Sequence, residues 1–238
     1  MSEGKFHLTQ SLPIQVANSY IHVTKVNSLT KGWLTFMGIS PDRIIEGTVV
    51  ADKLVVGEMG ACGSPSIRHM DWLRNGIHNR LGHPPMRKKI LFVERVFDGA
   101  GNSNEIWKSI QDFAAKKGWD TYLQTSHNLA SLEHQIGNFS DSAIIVAPHG
   151  GGSALLMAAQ PKACFIEMLS PGYRFQMMYG EIAGRLSIEY FGLLMDVSPE
   201  IILDTIQRCF IYQELNKAKK PFFLFRGTKR QEKAKPTI

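Results

Sequence analysis

A histidine set against a run of glycines is the first chemistry in this sequence: Pro148-His149-Gly150-Gly151-Gly152-Ser153. Glycines at the carboxyl end of a strand let the backbone turn its N–H groups toward a ligand, and a helix that starts there favours an anion. The expected ligand near 149–153 therefore carries phosphate. His149 has three readings: a donor to phosphate, a general base, or a core histidine satisfied by backbone. Its place beside glycines at a strand end argues against the last and does not separate the first two. Glu167 closes the next apolar run, where a carboxylate suits the hydroxyls of a ribose or stands on the rim with no partner. Arg95 follows another apolar run. It can hold phosphate oxygens through two N–H groups, although spacing alone favours a surface ion pair with Glu94 or Asp98.

Such side chains need strands to hold them. Residues 143–147 and 163–168 read as strands buried on both faces. Ser153 is placed to cap a helix running through Gln160 and closed by Pro161. From Ile90 onward strands and helices alternate: strand 90–93, helix 104–117, strand 121–124, helix 129–136, the glycine stretch, helix 175–185, strand 187–191 and helix 198–216. That rhythm predicts an α/β fold, a Rossmann-like parallel-sheet lobe with right-handed crossovers. Before it, 12–25 holds one or two short strands, and Asn27 or Ser28 caps a helix through Met37. Paired strands are expected across 43–56, a loop over 57–65, and a helix capped by Ser66 to about Leu81. GHPPMRKK, residues 82–89, reads as the clearest linker. The implied domains are a partial N-terminal lobe (1–85), the Rossmann-like lobe (86–216) and a basic tail (217–238).

Other motifs are excluded. HGGG resembles the oxyanion motif of lipases and esterases, but the chain has no GxSxG nucleophile elbow. No Lys-Ser/Thr pair follows the turn, which removes the P-loop, and the dinucleotide pattern GxGxxG is missing. No Asp-x-Asp pair exists to hold a metal-bound sugar nucleotide. With 44% hydrophobic and 20% charged residues over 238 positions, the chain is an ordinary globular one without a membrane-spanning run. Much of its net charge of +6 lies in the tail, so a specific nucleic-acid partner is not expected. Cys62, Cys164 and Cys209 are odd in number and lack CxxC spacing. They predict neither a disulfide framework nor a zinc site, and hence a reduced, cytoplasmic chain or an excised domain of a longer enzyme.

VAPHGGGSALLMAAQPKACFIEML resembles the signature of glycosyltransferase family 61, V-x-x-H-G-A-G-L-x-x-x-x-F-x-x-P-x-x-x-x-x-E. LFVER followed by NSNEIW, SLEHQIGNFSDSAIIVAPHG and YGEIAGRLSIEYFGL resemble further pieces of that family in the same order. Gly151-Gly152-Ser153 stands where the family has Ala-Gly-Leu, and the family's frequent second Arg after the strand is replaced by Phe97-Asp98-Gly99-Ala100-Gly101. The resemblance implies the C-terminal lobe of a GT-B, inverting, metal-independent glycosyltransferase that needs no cofactor. Its donor would be a nucleotide sugar, UDP-linked, and its acceptor a glycan or glycoprotein hydroxyl. Carried over by position, Arg95 and His149 are the catalytic pair. Arg95, His149, Gly150, Gly151, Gly152 and Ser153 face the pyrophosphate, Asn104 supports that loop, and Glu167 lies near the nucleoside. The short N-terminal region implies that another domain or chain completes the acceptor lobe. The alternative is a non-catalytic nucleotide- or sugar-binding module.

Overall fold

The structure is a computed structural model and describes residues 19–23, 25–53, 67–94, 103–125, 131–170 and 178–218. Five parallel strands form its centre: β3 (Arg87–Val93), β4 (Asp120–Gln124), β5 (Ser142–Pro148), β6 (Cys164–Leu169) and β7 (Glu189–Leu194), in the order β4-β3-β5-β6-β7. Counted within the sheet this is 2-1-3-4-5, and the direction of winding reverses between β3 and β5. The α/β, Rossmann-like expectation holds. Helices follow the strands, so each crossover lays an apolar helix face on the sheet and both sheet faces are covered.

Successive strand residues point to opposite faces. Ile90, Phe92, Ile144, Val146 and Ile166 lie under α3 (Ser103–Lys117) and α6 (Pro199–Ala218), packed against Ile106, Ile110, Ile202 and Ile206. Leu91, Ile145, Ala147 and Phe165 face the other way, under α4 (Leu132–Asp141), a 3₁₀ helix (Gly151–Ala158) and α5 (Met178–Arg185). Two earlier helices share that second core: α1 (Ser28–Phe36) contributes Phe36, and α2 (Ile67–Arg80) contributes Met70 and Ile77. Each fully buried Ile, Leu or Phe contributes about 1.5–3 kcal/mol, so the two cores carry the fold. Two short strands, β1 (Ile21–Val23) and β2 (Ile44–Glu46), form a separate parallel pair.

Several boundaries differ from the sequence expectation, each for a physical reason. The linker read into 82–89 ends early, because β3 already begins at Arg87. Its Lys89 is 5% exposed and ion-paired with Asp141, a non-local contact that no charge run announces. The helix expected at 129–136 runs from Leu132 to Asp141, capped by Ser131, whose hydroxyl accepts from the His134 N–H at 3.3 Å. Asn27 caps α1 as expected, accepting from the Thr30 N–H at 2.8 Å. In 43–56 only Ile44–Glu46 is a strand among the described residues, and its partner is β1. Ser66, the loop 57–65 and the tail 219–238 lie outside the described residues.

The absence of disulfides was the wrong expectation. Cys164, at the start of β6, is bonded to Cys209 of α6, with Cα atoms 5.8 Å apart. Both face the core between sheet and helix. The pairing depends on where the last crossover lays α6, which is invisible in cysteine spacing.

Candidate active site

The strand register builds the site. Glu167 pairs with Ala147 on one side and with Gly192 on the other. Both neighbours are small, so no side chain competes for the space around its carboxylate. Glu167 is 0% exposed, and a buried carboxylate must be hydrogen-bonded to remain charged. Its Oε1 accepts from His149 Nδ1 at 2.6 Å, and its Oε2 accepts from the Tyr190 hydroxyl at 2.7 Å. Because a carboxylate is the acceptor, the Nδ1 nitrogen carries the hydrogen and Nε2 is the basic nitrogen of the neutral ring.

Tyr190 is held by glycines. A Cβ on Gly180 would sit 3.0 Å from the ring's Cε1, and one on Gly192 would sit 3.0 Å from its hydroxyl. Burial first, then the hydrogen bond and charge of Glu167, push the Tyr190 phenol well above its usual range. It remains a neutral donor at any working pH. Tyr179 holds the other side of the histidine. Its ring meets the imidazole edge-on at 5.4 Å, and its hydroxyl donates to the Gly150 carbonyl at 2.7 Å.

The turn after β5 is pinned at both ends. The His149 N–H donates to the Met168 carbonyl at 2.8 Å. Gly150 has φ +154° and ψ −179°, a region that is essentially glycine's alone. A Cβ added to Gly151 or Gly152 meets nothing within 4 Å, so packing within the protein does not require glycine at either position. Ser153 is not the cap expected of it: the helix is 3₁₀ and starts at Gly151, with Gly150 as its N-cap residue. The Ser153 N–H donates to the Gly150 carbonyl at 2.9 Å and its hydroxyl to the Pro148 carbonyl at 3.1 Å. Both groups are spent inside the turn. The far end of this helix is tied down by His78, whose Nε2 donates to the Ala158 carbonyl at 2.7 Å.

Open α/β sheets bind ligands outside the carboxyl ends of the strands, where the winding direction reverses. Here that is the crevice between the ends of β3 and β5, and His149 follows β5 directly. Of the residues singled out from sequence, His149, Gly150, Gly151, Gly152, Ser153 and Glu167 come together. Asn104 is exposed in the first turn of α3. Arg95 lies outside the described residues. Sequence reasoning missed Tyr179 and Tyr190. Both stand in the stretch YGEIAGRLSIEY, and only its spacing to Glu167 in three dimensions gives them a role. Among the described residues no group of three His, Cys, Asp or Glu is arranged to hold a metal ion, and no helix is long and apolar enough to cross a membrane.

The family described as Glycosyltransferase 61 matches the chain over residues 7–166, about two-thirds of its length. The chain belongs to glycosyltransferase family 61. Members of that family are described as glycosyltransferases. The match stops one residue before Glu167, and the bonds of that carboxylate to His149 and Tyr190 come from the structure. No curated protein matches the chain. Among solved structures, a flavo di-iron protein mutant from Thermotoga maritima is 12% identical over 62% of this chain and 40% of its own, with a TM-score of 0.43. The lysine decarboxylase LdcF of Francisella novicida is 13% identical over 60% of this chain and 22% of its own, with a TM-score of 0.35. The chain thus spans well under half of either protein, and neither likeness carries an argument.

Proposed function

We propose that this glycosyltransferase moves a hexose or pentose from a UDP-linked donor to a hydroxyl of a glycan or protein, with inversion and without a metal. The observation that carries the reading is the pair His149–Glu167, set beside a glycine turn at the point where the sheet's winding reverses. The acceptor hydroxyl gives its proton to Nε2 of His149 as its oxygen attacks the anomeric carbon. The bond from that carbon to the diphosphate breaks, and UDP leaves with the electron pair. Glu167 holds Nδ1 and stabilises the imidazolium that forms, and Tyr190 holds Glu167. A positioned base contributes roughly 10²–10⁴-fold.

The leaving diphosphate needs fixed donors. The open positions at Gly151 and Gly152 let a phosphate approach the backbone, and the family resemblance adds Arg95 and Asn104. The lack of any Asp-x-Asp pair supports the metal-free reading. In a GT-B arrangement this lobe, with α1 and α2 packed onto its second core, binds the donor. Ser153 acts on the turn rather than on the ligand.

A second reading is favoured by the same pair: a buried carboxylate also suits an imidazolium that donates to the departing phosphate. Loss of the imidazole separates the two. His149→Ala that keeps donor affinity and loses transfer marks a base, whereas loss of both marks a phosphate donor. The experiment for the proposal itself is calorimetry of UDP and a panel of UDP-sugars, with and without chelator, coupled to donor hydrolysis. Binding in chelator with slow hydrolysis supports it. Binding that needs manganese or magnesium overturns the metal-free part, and binding with no hydrolysis or transfer makes the chain a non-catalytic module.

A further inference from the structure

The opposite end of the sheet holds a cleft that the transfer reaction does not use. It has a volume of about 610 Å³ and lies at the amino ends of β3 and β4, closed on one side by α4. Strand β5 runs seven residues from Ser142 to Pro148, about 23 Å at 3.3 Å per residue. The cleft therefore stands a sheet's length from His149 and is no subsite of the reaction centre.

Its charges cancel. Arg87 pairs with Asp120 at 2.7 Å and reaches Asp141 at 3.6 Å, while Lys89 pairs with Asp141. Two cations against two carboxylates favour neither a free anion nor a free cation. The polar groups are nevertheless built into the wall. Lys89 is 5% exposed and Asn138 is 8% exposed. Asn138 Oδ1 accepts from Lys89 at 3.2 Å, but its Nδ2 has no partner. A buried amide donor left unmade is costly, and such groups are rare in folded chains. Tyr122 supplies an aromatic wall, its ring tilted against His134 at 5.7 Å and its hydroxyl 3.1 Å from His134 Nε2.

Gly137 is the second unexplained feature. It sits inside α4, where glycine is unfavourable, and a Cβ there meets nothing within 4 Å. No neighbour demands its small size, yet any larger side chain would take up cleft volume. From these features we infer that the cleft is a second, non-catalytic site for a neutral oligosaccharide. Sugar hydroxyls both donate and accept, which suits the Arg87 guanidinium and the Asp120 carboxylate, both more than half exposed at the mouth of the cleft. The C–H face of a pyranose suits the Tyr122 ring, and the volume falls in the range of small-molecule sites, roughly 300–1,000 Å³. An accessory grip on a longer glycan is a use open to a glycosyltransferase, and it does not depend on the donor reading at His149.

The test titrates the whole chain with maltotriose, cellotriose and chitotriose, read by saturation-transfer NMR and calorimetry. At least one binds more tightly than about 10 mM. Gly137→Leu, which keeps the helix and fills the cleft, weakens that binding by at least roughly tenfold, and Tyr122→Leu does the same. UDP neither displaces the sugar nor binds differently to Gly137→Leu. The proposal is overturned if none of the three sugars binds, or if binding survives Gly137→Leu in a folded protein. Displacement of the sugar by UDP, or inorganic phosphate taking the cleft in place of sugar, also overturns it. Absence of UDP binding would sink the donor reading and leave the cleft untouched.

Discussion

Tyr190→Phe removes one oxygen from the site and changes little else. The ring stays between Gly180 and Gly192, whose missing side chains shape its slot, so phenylalanine takes the same place. The fully buried Glu167 carboxylate then keeps only the His149 bond out of the two its oxygens now make. A hydrogen bond to a charged group contributes about 1.5–3 kcal/mol, and nothing in this buried pocket replaces it. For a chain of this size 1 kcal/mol moves the melting temperature by about 2–4 °C. The expected loss is therefore about 3–12 °C, the product of those two ranges. Transfer slows as well, because a carboxylate held on one side orients the imidazole less well. Donor affinity stays, since Tyr190 meets Glu167 rather than the ligand crevice. Thermal unfolding, donor calorimetry and single-turnover transfer are the three assays. A variant that melts with the parent and transfers at the parental rate would refute the claim that Glu167 is held by both partners.

Other consequences are sharp. Gly150→Ala forces a side chain into φ +154° and should cost of order 1–3 kcal/mol in thermal unfolding. Gly151→Ala should leave stability alone and weaken UDP binding, because its Cβ meets only open space. Burial holds the His78 imidazole below its usual 6.5, so the unfolded chain takes up more protons as pH falls through that value. Stability is thus full above 6.5 and declines below it, and His78→Gln should flatten the decline in a pH series of melts. Reduction of the Cys164–Cys209 bond, which spans 45 residues, should destabilise the chain by about 2–4 kcal/mol. Thiol titration of the denatured, unreduced chain should then find Cys62 alone.

Much of the scaffold was legible in the sequence because its signals are local. The apolar runs at 90–93, 143–147 and 163–168 could only be buried strands between helices, and Asn27 announced the start of α1. The glycine turn was legible as a turn for the same reason. What sits behind it was not. Glu167 reads as a ribose ligand until the register sets it beside Ala147 and Gly192, where its oxygens meet His149 and Tyr190 instead of solvent. Ser153 has the residue type of a helix cap, yet its hydroxyl and N–H close the turn upon itself. Lys89 and Cys164 failed for a shared reason. Each has its partner, Asp141 or Cys209, delivered by a crossover whose landing point only the packed fold decides.

The most direct measurement on the proposed chemistry is Glu167→Gln, assayed for donor binding and for transfer on the same preparation. Glutamine keeps the shape and removes the charge that fixes His149 and would stabilise its imidazolium. The expected result is unchanged UDP-sugar affinity with transfer slower by roughly 10²–10⁴-fold, the contribution of a positioned base. Transfer at the parental rate by a folded Glu167→Gln protein would contradict the assignment of His149 and Glu167 as the catalytic pair.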